Sequence, residues 1–487
     1  MAEELILGFE SECGDPDVAA LRLARVRGHE RLSQIYEYEL WLESSNDQGL
    51  ALESIEAMLN QPCRFTIGEA TISGVLDVVT LEPTSDPTRT VYHTVLVPRL
   101  ARLARTVRSR VFQEMTGPAI VEAVLTEHQI PFTSSYLADY PTREYTVQYE
   151  ESDLDFVRRV LEHWGVFFFF EQAPDGESVT LADDNKAFLV HAGRETLPFA
   201  SHVDVTATAP HIGPMERTIQ PQTASVTLRD YNWRTPFTAE DGSQTERQLQ
   251  LVGTAAVDEI TGSGEHRRYG DHFKDDAEGA LLATVRAEEM RGDRIVCRGI
   301  LHAIGLAPGH RFTTSGMPIA ELEGEYVITA IETSVDKGGE TNDFQQRYEA
   351  IPSDVAFRPP RLTERPIVVG HMHAVVDGEV PGVAAPIDEY GRYKILLPFD
   401  QIAAAGGKAS RWIRMAQSSA GADYGMHLPL HIGTEVLLTH LDGDPDRPVI
   451  IGAVPNVDTM SPVVDANATQ SRIRTSTGIL FELEDDA

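Results

Sequence analysis

Of two closely spaced pairs of histidines, one has a spacing that could hold a metal ion. His371 and His373 in VGHMHAVV alternate along a predicted strand, so both imidazoles would share one face, where a third ligand could complete a zinc site. His427 and His431 flank Pro429 in MHLPLH, and the proline breaks the helical spacing that would bring them together. The favoured alternative for all four is a barrel surface or a subunit contact, with imidazoles bonded to backbone carbonyls.

The segment 442–446, Asp-Gly-Asp-Pro-Asp, resembles the start of a calcium-binding loop, because its three carboxylates stand where the first three ligands would. The following residue is Arg447 where such a loop needs glycine, and Ala453 stands where it needs a bidentate glutamate. We therefore expect a turn between two strands, with Asp and Gly shaping the backbone.

Signatures of enzymes are missing from the sequence. It contains no G-x-S-x-G nucleophile elbow, no H-E-x-x-H zinc helix and no G-x-x-x-x-G-K-[ST] phosphate loop. We assign no catalytic, cofactor-binding or metal-binding residue, and we expect neither a cofactor nor an enzymatic activity.

The charge of the chain argues against nucleic acid as a partner. Its 75 acidic and 41 basic residues give a formal charge of -34, which repels phosphate backbones and anionic lipid headgroups. One basic cluster recurs about every third residue and could line a helix face or a groove. A solvated or subunit-contacting face is favoured over anion binding for this cluster, which comprises Arg99, Arg102, Arg105, Arg108 and Arg110.

The cysteines and the termini bear on the cellular compartment. Cys13, Cys63 and Cys297 lack the paired spacing of a zinc site or a disulfide framework, so we expect reduced thiols. The start, MAEELILGFE, lacks the pattern of a signal peptide, and no apolar run is long enough to span a membrane. We expect a cytoplasmic protein without stable membrane insertion, unless another machine exports it. The acidic end, with Glu482, Glu484, Asp485 and Asp486, is predicted to be solvated.

The clearest helix signal is SDLDFVRRVLEHWG, residues 152–165. Ser152 can cap this helix, Asp153 and Asp155 favour its positive end, and Gly165 can end it. Its apolar stripe comprises Leu154, Val157, Val160, Leu161 and Trp164.

Most of the remaining chain up to about residue 350 shows alternation typical of strands. The predicted strands include 21–26, 36–42, 64–67, 91–97, 166–170, 225–231, 294–301 and 325–333. Further helices are predicted at 52–59, from 117 to about 125, and at 277–291.

A proline-rich stretch, PSDVAFRPPRLTERP, marks a domain boundary at 352–366, because proline removes backbone donors and disfavours regular elements. Beyond it, short strands separated by turns suit a small closed barrel such as an OB-fold. These strands are predicted at 367–376, 392–397, 411–416, 435–440 and 449–453.

Six stretches of the chain carry a further signal. Those in the first part are YTVQYEESDLDFVRRVLEHWGVFFFFE (145–171), RDYNWRTP (229–236) and YGDHFKDDAEGALLATVRAEEMRG (269–292). The second part adds PIDEYGRYKILLPFD (386–400), the stretch from SRWIRMAQ to AVPN (410–456) and TQSRIRTSTGILFELEDD (469–486). These stretches resemble the VgrG family of injection-machine spike proteins, and they follow the family's order along nearly the whole chain.

The resemblance implies a mainly β fold with a few inserted helices. Residues 1–351 would form a phage-hub-like region with two tube-type β-barrel domains, and 352–366 a linker. Residues 367–456 would form an OB-fold, and 457–487 a linker and the first strands of a trimeric β-helical needle. The needle strands would be 473–475 and 479–483, with Gly478 at the turn. The residues leave open whether this chain has been cut short or is naturally short.

The resemblance also implies a function. Three copies would cap an inner tube of the Hcp type, contact baseplate proteins, and in complete members carry a PAAR-type tip protein and effectors. The protein would be cytoplasmic before firing and exported afterwards. A type VI secretion spike is favoured over an extracellular injection particle or a phage tail hub.

Two other classes of protein remain as rivals. A hydrolase would need clustered titratable groups in a cleft, and the linker 457–469 leaves no room for the lysozyme-like domain that some contractile-tail spikes carry. A ligand-binding OB module would need an exposed aromatic or basic groove. The aromatic candidates Trp412, Tyr390, Tyr393 and Tyr424 sit among too few basic residues to suit nucleic acid.

Overall fold

The computed structural model describes residues 6–44, 49–82, 89–201, 209–234, 250–336, 343–400, 406–421 and 423–485. Several of the sequence predictions fall partly outside these ranges. They concern the first five residues, the last two residues of RDYNWRTP, residues 401–405 and 422 within the predicted OB-fold, and Asp486 at the end of the stretch 469–486.

The described chain is built mainly of short strands, with a few helices between them. The strands are β1 (Leu7–Ser11), β2 (Arg22–Arg31), β3 (Glu37–Ser44), β4 (Pro62–Ile67), β5 (Ala70–Glu82), β6 (Thr90–Val97), β7 (Val107–Phe112), β8 (Phe132–Ser135), β9 (Thr146–Ser152), β10 (Phe167–Ala173), β11 (Gly176–Ala182), β12 (Leu189–Val190), β13 (Thr196–Pro198), β14 (His211–Ile219), β15 (Ser225–Tyr231), β16 (Gln250–Ala256), β17 (Glu265–Tyr269), β18 (Ile295–His302), β19 (His310–Ser315), β20 (Glu325–Asp336), β21 (Asp343–Pro352), β22 (Met372–Val376), β23 (Ile395–Leu396), β24 (Ala420–Gly421), β25 (Tyr424–Gly425), β26 (Glu435–His440), β27 (Pro448–Ala453), β28 (Gln470–Arg474) and β29 (Leu480–Glu484). The α-helices are α1 (Pro16–Ala19), α2 (Leu52–Met58), α3 (Gly117–Glu127), α4 (Asp153–Trp164) and α5 (Asp276–Gly292).

The chain divides into two units. The first unit comprises residues 1–106, 116–141 and 152–364, and the second comprises 107–115, 142–151 and 365–487. The sequence analysis placed 107–115 and 142–151 in the region 1–351, but these segments pack with the second unit. They do so because β7 pairs with β9 and because Tyr145 and Val147 are buried in the core of the second unit. The boundaries proposed at 352–366 and 457 stay predictions.

The first unit is organised around one large sheet. Its strands run in the order β1-β4-β5-β6-β3-β2-β20-β21-β18-β14, and every pair along this path is antiparallel. Strands β2 and β20 join the N-terminal half of the sheet to its C-terminal half, with Val26 opposite Val335. Residues far apart in sequence therefore become neighbours at the centre of the sheet.

Each half of this sheet has its own hydrophobic core. The N-terminal core includes the fully buried Leu40 and Phe65, and the C-terminal core includes Leu301 and Ile328. Burying each such side chain stabilises the fold by about 1.5–3 kcal/mol. Two cores on one sheet are compatible with two tube-type domains, which stay a prediction.

Helix α4 begins and ends where its local signals predicted. The Ser152 hydroxyl accepts a hydrogen bond from the Asp155 amide at 3.0 Å, and Gly165 follows the helix with φ of 69°, in the left-handed region that glycine favours. All five residues of the predicted apolar stripe are buried. These predictions are confirmed.

Helix α5 packs against the three-stranded sheet β16-β15-β17. A Cβ at Gly253 would lie 2.0 Å from the Gly279 carbonyl oxygen, so strand and helix meet backbone to backbone. Only glycine permits this approach. The observed helix exceeds the predicted 277–291 by one residue at each end.

The second unit contains the sheet β23-β22-β26-β27 around a core that includes Val376, Ile395 and Leu438. The predicted strand at 435–440 is confirmed, whereas the one at 411–416 is wrong. In that segment Ile413 forms only an isolated bridge to Tyr393, and Met415 one to Ile450. The alternation there reflects burial of Ile413 rather than a continuous ladder.

Candidate assembly surfaces

The C-terminal hairpin β28–β29 exposes apolar side chains on one face. Ile473 pairs with Phe481 and Ser471 with Leu483, so these four residues share that face. The exposed fractions are 46% for Ile473, 60% for Phe481 and 54% for Leu483. A two-stranded hairpin is marginally stable alone, and contiguous exposed apolar surface marks an interaction site.

The opposite face of the hairpin is polar. The Arg472 Nε lies 2.6 Å from Glu482 Oε2, and the Gln470 amide donates to Glu484 at 2.6 Å. The Thr469 hydroxyl donates to the same Glu484 carboxylate, and these hydrogen bonds lower its pKa. The hairpin is therefore amphipathic, with a solvated face and an apolar face.

The large sheet of the first unit presents a second surface, on which charges of opposite sign pair across strands. Arg25 and Asp336 are opposite each other on β2 and β20, with 2.7 Å between nitrogen and oxygen. Arg31 Nη2 lies 3.3 Å from Glu349 Oε2, and Arg298 Nε lies 3.2 Å from Glu349 Oε1. Exposed pairs of this kind contribute about 0–1 kcal/mol each to the stability of the fold. Their main effect is to neutralise charge on this surface.

The five arginines of the basic cluster lie on two elements. Arg99, Arg102 and Arg105 are on a 3-10 helix (Arg99–Arg105), and Arg108 and Arg110 are on β7. The described partners are distinct: Arg99 bonds Glu177 at 2.9 Å, Arg102 bonds Asn60 at 2.7 Å, Arg105 bonds Asp77, and Arg110 bonds Gln148 at 2.8 Å. These contacts join segments that are far apart in sequence. Of the two alternatives, a helix face or a groove, a single helix face is excluded because the cluster spans a 3-10 helix and a strand.

The histidine pairs lie at the surface and in side-chain networks. His371 and His373 are exposed, and His373 Nδ1 lies 2.6 Å from Glu435. His431 Nδ1 donates to the Gly382 carbonyl at 3.0 Å, as the favoured interpretation expected. His427 instead contacts side chains, with Tyr393 and Gln417 each at 2.8 Å.

The aspartate-rich segment 442–446 forms a 3-10 turn (Leu441–Gly443) between β26 and β27, and Asp442 has a left-handed φ of 54°. Its carboxylates have partners within the second unit. Asp444 lies 2.5 Å from Arg365 and 3.3 Å from Arg447, and Asp446 accepts from the Val147 amide at 2.6 Å. The carboxylates thus fasten the turn to neighbouring segments.

The three cysteines are free thiols. Burial raises the pKa of Cys63 to about 12, and burial also raises the pKa of Cys297, so these two thiols are held in the neutral form. Of the aromatic residues considered for an OB groove, Tyr393 is buried whereas Tyr390 and Tyr424 are exposed.

Sequence reasoning missed a buried ionic network that fastens the proline-rich segment to helices α4 and α5. Arg286, only 1% exposed, donates to the Glu162 carbonyl at 2.9 Å and to Glu289 at 2.5 Å. Arg358 bonds Glu288 at 2.7 Å. A signal existed, because Arg286 stands four residues after Leu282 on the apolar face of α5.

The second unit's fold and the first unit's sheet define a class of protein. Residues 29–339 match the phage tail baseplate hub (GPD) family, and 383–454 match the type VI secretion system and phage-baseplate injector OB domain. The chain belongs to the phage tail baseplate hub family. The mainly β, hub-like fold and the OB-fold predicted from the sequence are confirmed.

Within this class the chain is similar to type VI secretion spike proteins, which confirms the VgrG resemblance. It is 32% identical to the spike protein VgrG4b of Pseudomonas aeruginosa over 475 residues, covering 93% of this chain and 57% of that protein. VgrG1a of the same species is 28% identical over 475 residues, and the match covers 94% of this chain and 71% of that protein. The actin cross-linking toxin VgrG1 of Vibrio cholerae is 27% identical over 398 residues, and the match covers 80% of this chain and 35% of that protein. The chain thus spans about 57% of the first relative's length.

Solved structures show the same fold. An Escherichia coli component of the type VI secretion system, described as similar to the T4 bacteriophage tail proteins gp27 and gp5, superposes with a TM-score of 0.66 at 23% identity. The match covers 92% of this chain and all of that one. A Francisella PdpA-VgrG complex matches with a TM-score of 0.62 at 9% identity, covering 99% of this chain and 83% of that one.

Proposed function

We propose that this chain is the hub and spike of a type VI secretion machine, a structural protein that caps the inner tube and carries a tip and effectors toward a target cell. The observation that carries the proposal is its similarity to VgrG spike proteins along 93% of its length, through both the hub and the OB modules.

The architecture suits a ring built from three chains. If the two cores on one sheet belong to two similar tube-type domains, each chain would present a similar edge twice, and three copies would present a pseudo-sixfold surface to a six-fold tube. The partners of such a ring would be an Hcp-type tube protein, baseplate proteins, and a PAAR-type tip protein with effectors. The OB-fold would narrow the ring toward the needle.

The amphipathic hairpin supports the trimer. Its apolar face, with Ile473, Phe481 and Leu483, is exposed in the single chain. Three copies that turn these faces toward a common axis would bury them, while the pair Arg472–Glu482 stays in water. Edge groups of β28 and β29 would pair with the neighbouring chains.

The proposed role is mechanical and non-enzymatic. It requires rigid, complementary surfaces, and the force would come from sheath contraction elsewhere in the machine. The protein would reside in the cytoplasm before firing and leave the cell through the machine. None of the helices in the described ranges has the length and apolarity that a membrane crossing requires.

The solution mass tests this proposal. We expect light scattering to give about three times 53.7 kDa for the intact chain. Phe481→Ser should shift the mass toward the monomer, because it removes a side chain from the apolar face. Leu480→Ser is the matched control, because Leu480 pairs with Arg474 on the opposite face.

A monomeric wild type, or a trimer that Phe481→Ser leaves intact, would contradict the hairpin argument. Binding of the wild-type trimer to a hexameric Hcp-type tube protein then separates a type VI spike from the hub of a phage tail or an extracellular particle. Failure to bind that tube would favour these two alternatives.

A further inference from the structure

A cavity of about 750 Å³ lies within the first unit, beside the central strands β2, β20 and β21. Its apolar walls include Phe170, Ile304 and Phe344, which pack against the N-terminal core. A cavity of this size matches the volume that small-molecule sites occupy, and such sites combine apolar walls with a few placed polar groups.

One polar group in the wall has an unmet hydrogen-bonding capacity. Gln346 is 6% exposed, and its Nε2 donates to the Thr333 hydroxyl at 3.2 Å. Its Oε1 is buried and has no hydrogen-bond partner among the described residues. A buried acceptor without a partner costs about 1–3 kcal/mol, which a donor entering the cavity would offset.

A carboxylate is the second acceptor. Glu30 receives a hydrogen bond from the Tyr38 hydroxyl, and burial raises the pKa of Glu30 to about 7. The ring of Tyr38 lies across Gly28, where an added Cβ would be 2.0 Å from Cε1 of that ring. Glu30 and Tyr38 both line the cavity.

The strand register brings the two acceptors together. Gly28 is opposite Thr333, and Thr333 is opposite Gln346, so these residues form one row across three strands. Glu30 lies two residues along β2 from that row, on the same face. With strands about 4.8 Å apart and about 3.4 Å per residue along a strand, the Cα atoms of Glu30 and Gln346 lie about 12 Å apart, and both side chains extend from the same face.

The charge of the lining favours a cation. Its carboxylates are Glu10, Glu30, Glu69 and Glu171. Arg64 is paired with Glu10 at 2.5 Å, and Arg194 is paired with Glu69. His310 does not oppose a cation, because burial lowers its pKa to about 4 and its Nδ1 accepts from the Ala307 amide at 2.9 Å. The cavity is therefore rich in acceptors, and Glu30 and Glu171 are the two carboxylates of its lining that no arginine of the described residues pairs.

We propose that this cavity binds a guanidinium group on an apolar stem, with Gln346 Oε1 and the Glu30 carboxylate as its acceptors. A guanidinium has five N–H donors spread over a plane, so it reaches two separated acceptors better than a compact ammonium does. It is also weakly hydrated and stacks on aromatic rings such as those of Phe170 and Phe344.

Titration calorimetry with defined probes tests the proposal on the intact chain. Nα-acetyl-arginine-N-methylamide should bind, and the neutral isostere Nα-acetyl-citrulline-N-methylamide should bind at least about tenfold more weakly. Agmatine, a free guanidino compound, separates the two sources of this group. Tighter binding of agmatine would assign the site to a free metabolite, and tighter binding of the peptide-like probe to an arginine side chain of a protein.

Three variants locate the bound probe. Glu30→Gln should weaken binding about 10- to 100-fold, since a hydrogen bond to a charged group is lost, and Gln346→Leu about tenfold. Glu332→Gln is the matched control, because Glu332 is next to Thr333 on the opposite, exposed face of β20. It should leave the affinity unchanged.

Thermal melts of each variant establish whether it is folded. If Glu30→Gln does not fold, the binding measurement on Gln346→Leu tests the proposal. No binding of the arginine probe up to about 10 mM would overturn the proposal. Equal affinity for the citrulline isostere, or equal losses from Glu332→Gln and Glu30→Gln, would overturn it as well.

Discussion

Replacing Glu30 by glutamine should stabilise the first unit at alkaline pH and have little effect at acid pH. Burial raises the pKa of Glu30 from 4.5 to about 7 in the folded chain. Below the unfolded pKa, Glu30 is protonated in both states and costs nothing. Between the two pKa values the folded state holds a proton that the unfolded state releases, so stability falls as pH rises, until the loss is complete above about 7.

The magnitude follows from the size of the shift. A change of about 2.5 pKa units corresponds to about 3 kcal/mol, which is an upper limit because Glu30 is only partly buried. For a unit of this size, about 3 kcal/mol corresponds to roughly 4 °C in melting temperature. The glutamine side chain keeps an acceptor for the Tyr38 hydroxyl, so Glu30→Gln should not open a new defect.

The assay compares urea unfolding of the wild type and Glu30→Gln at about pH 5 and pH 8, with urea chosen because guanidinium is the proposed ligand. His310 has the opposite dependence, since its pKa is lowered to about 4 and its contribution is lost as pH falls. This effect is present in both proteins and cancels in their difference. A difference that does not change with pH, or a wild type that is the more stable at pH 8, would refute the reasoning.

Three further predictions concern the frame of the molecule and its assembly. Gly165→Ala should lower the free energy of unfolding by about 2 kcal/mol. The φ of 69° at this position disfavours alanine, and the new methyl group would lie 2.4 Å from Val285 Cγ1. An unchanged midpoint of urea unfolding would contradict this. Glu162→Ala should speed amide hydrogen exchange at Leu362 and Thr363 about 30-fold, because Glu162 Oε2 accepts hydrogen bonds from both amides, at 3.1 and 2.9 Å. Unchanged exchange rates would show that other contacts hold the proline-rich segment in place. Added salt should favour the trimer, because three chains of charge -34 repel one another; a trimer that dissociates as salt rises would show that attraction between charges dominates.

The sequence by itself determined the elements whose signals are local. Helix α4 could be predicted to the residue because Ser152 and Gly165 satisfy its ends through neighbours three or four positions away. Strand β26 alternates buried and half-buried residues over its whole length, so its bounds were also predicted. The order of the VgrG motifs along the sequence predicted a hub region followed by an OB-fold, and the family matches confirm both.

Only the tertiary structure decided how distant segments combine. The segment 411–416 alternates like a strand, but its backbone meets partners at single residues. Residues 142–151 joined the second unit because Tyr145 and Val147 fit its core, which no neighbouring residue encodes. Glu30 and Gln346 come to one cavity because β2, β20 and β21 pair in a fixed register. Such pairing depends on the burial of whole sheet faces, which the chain determines only when it folds as a unit.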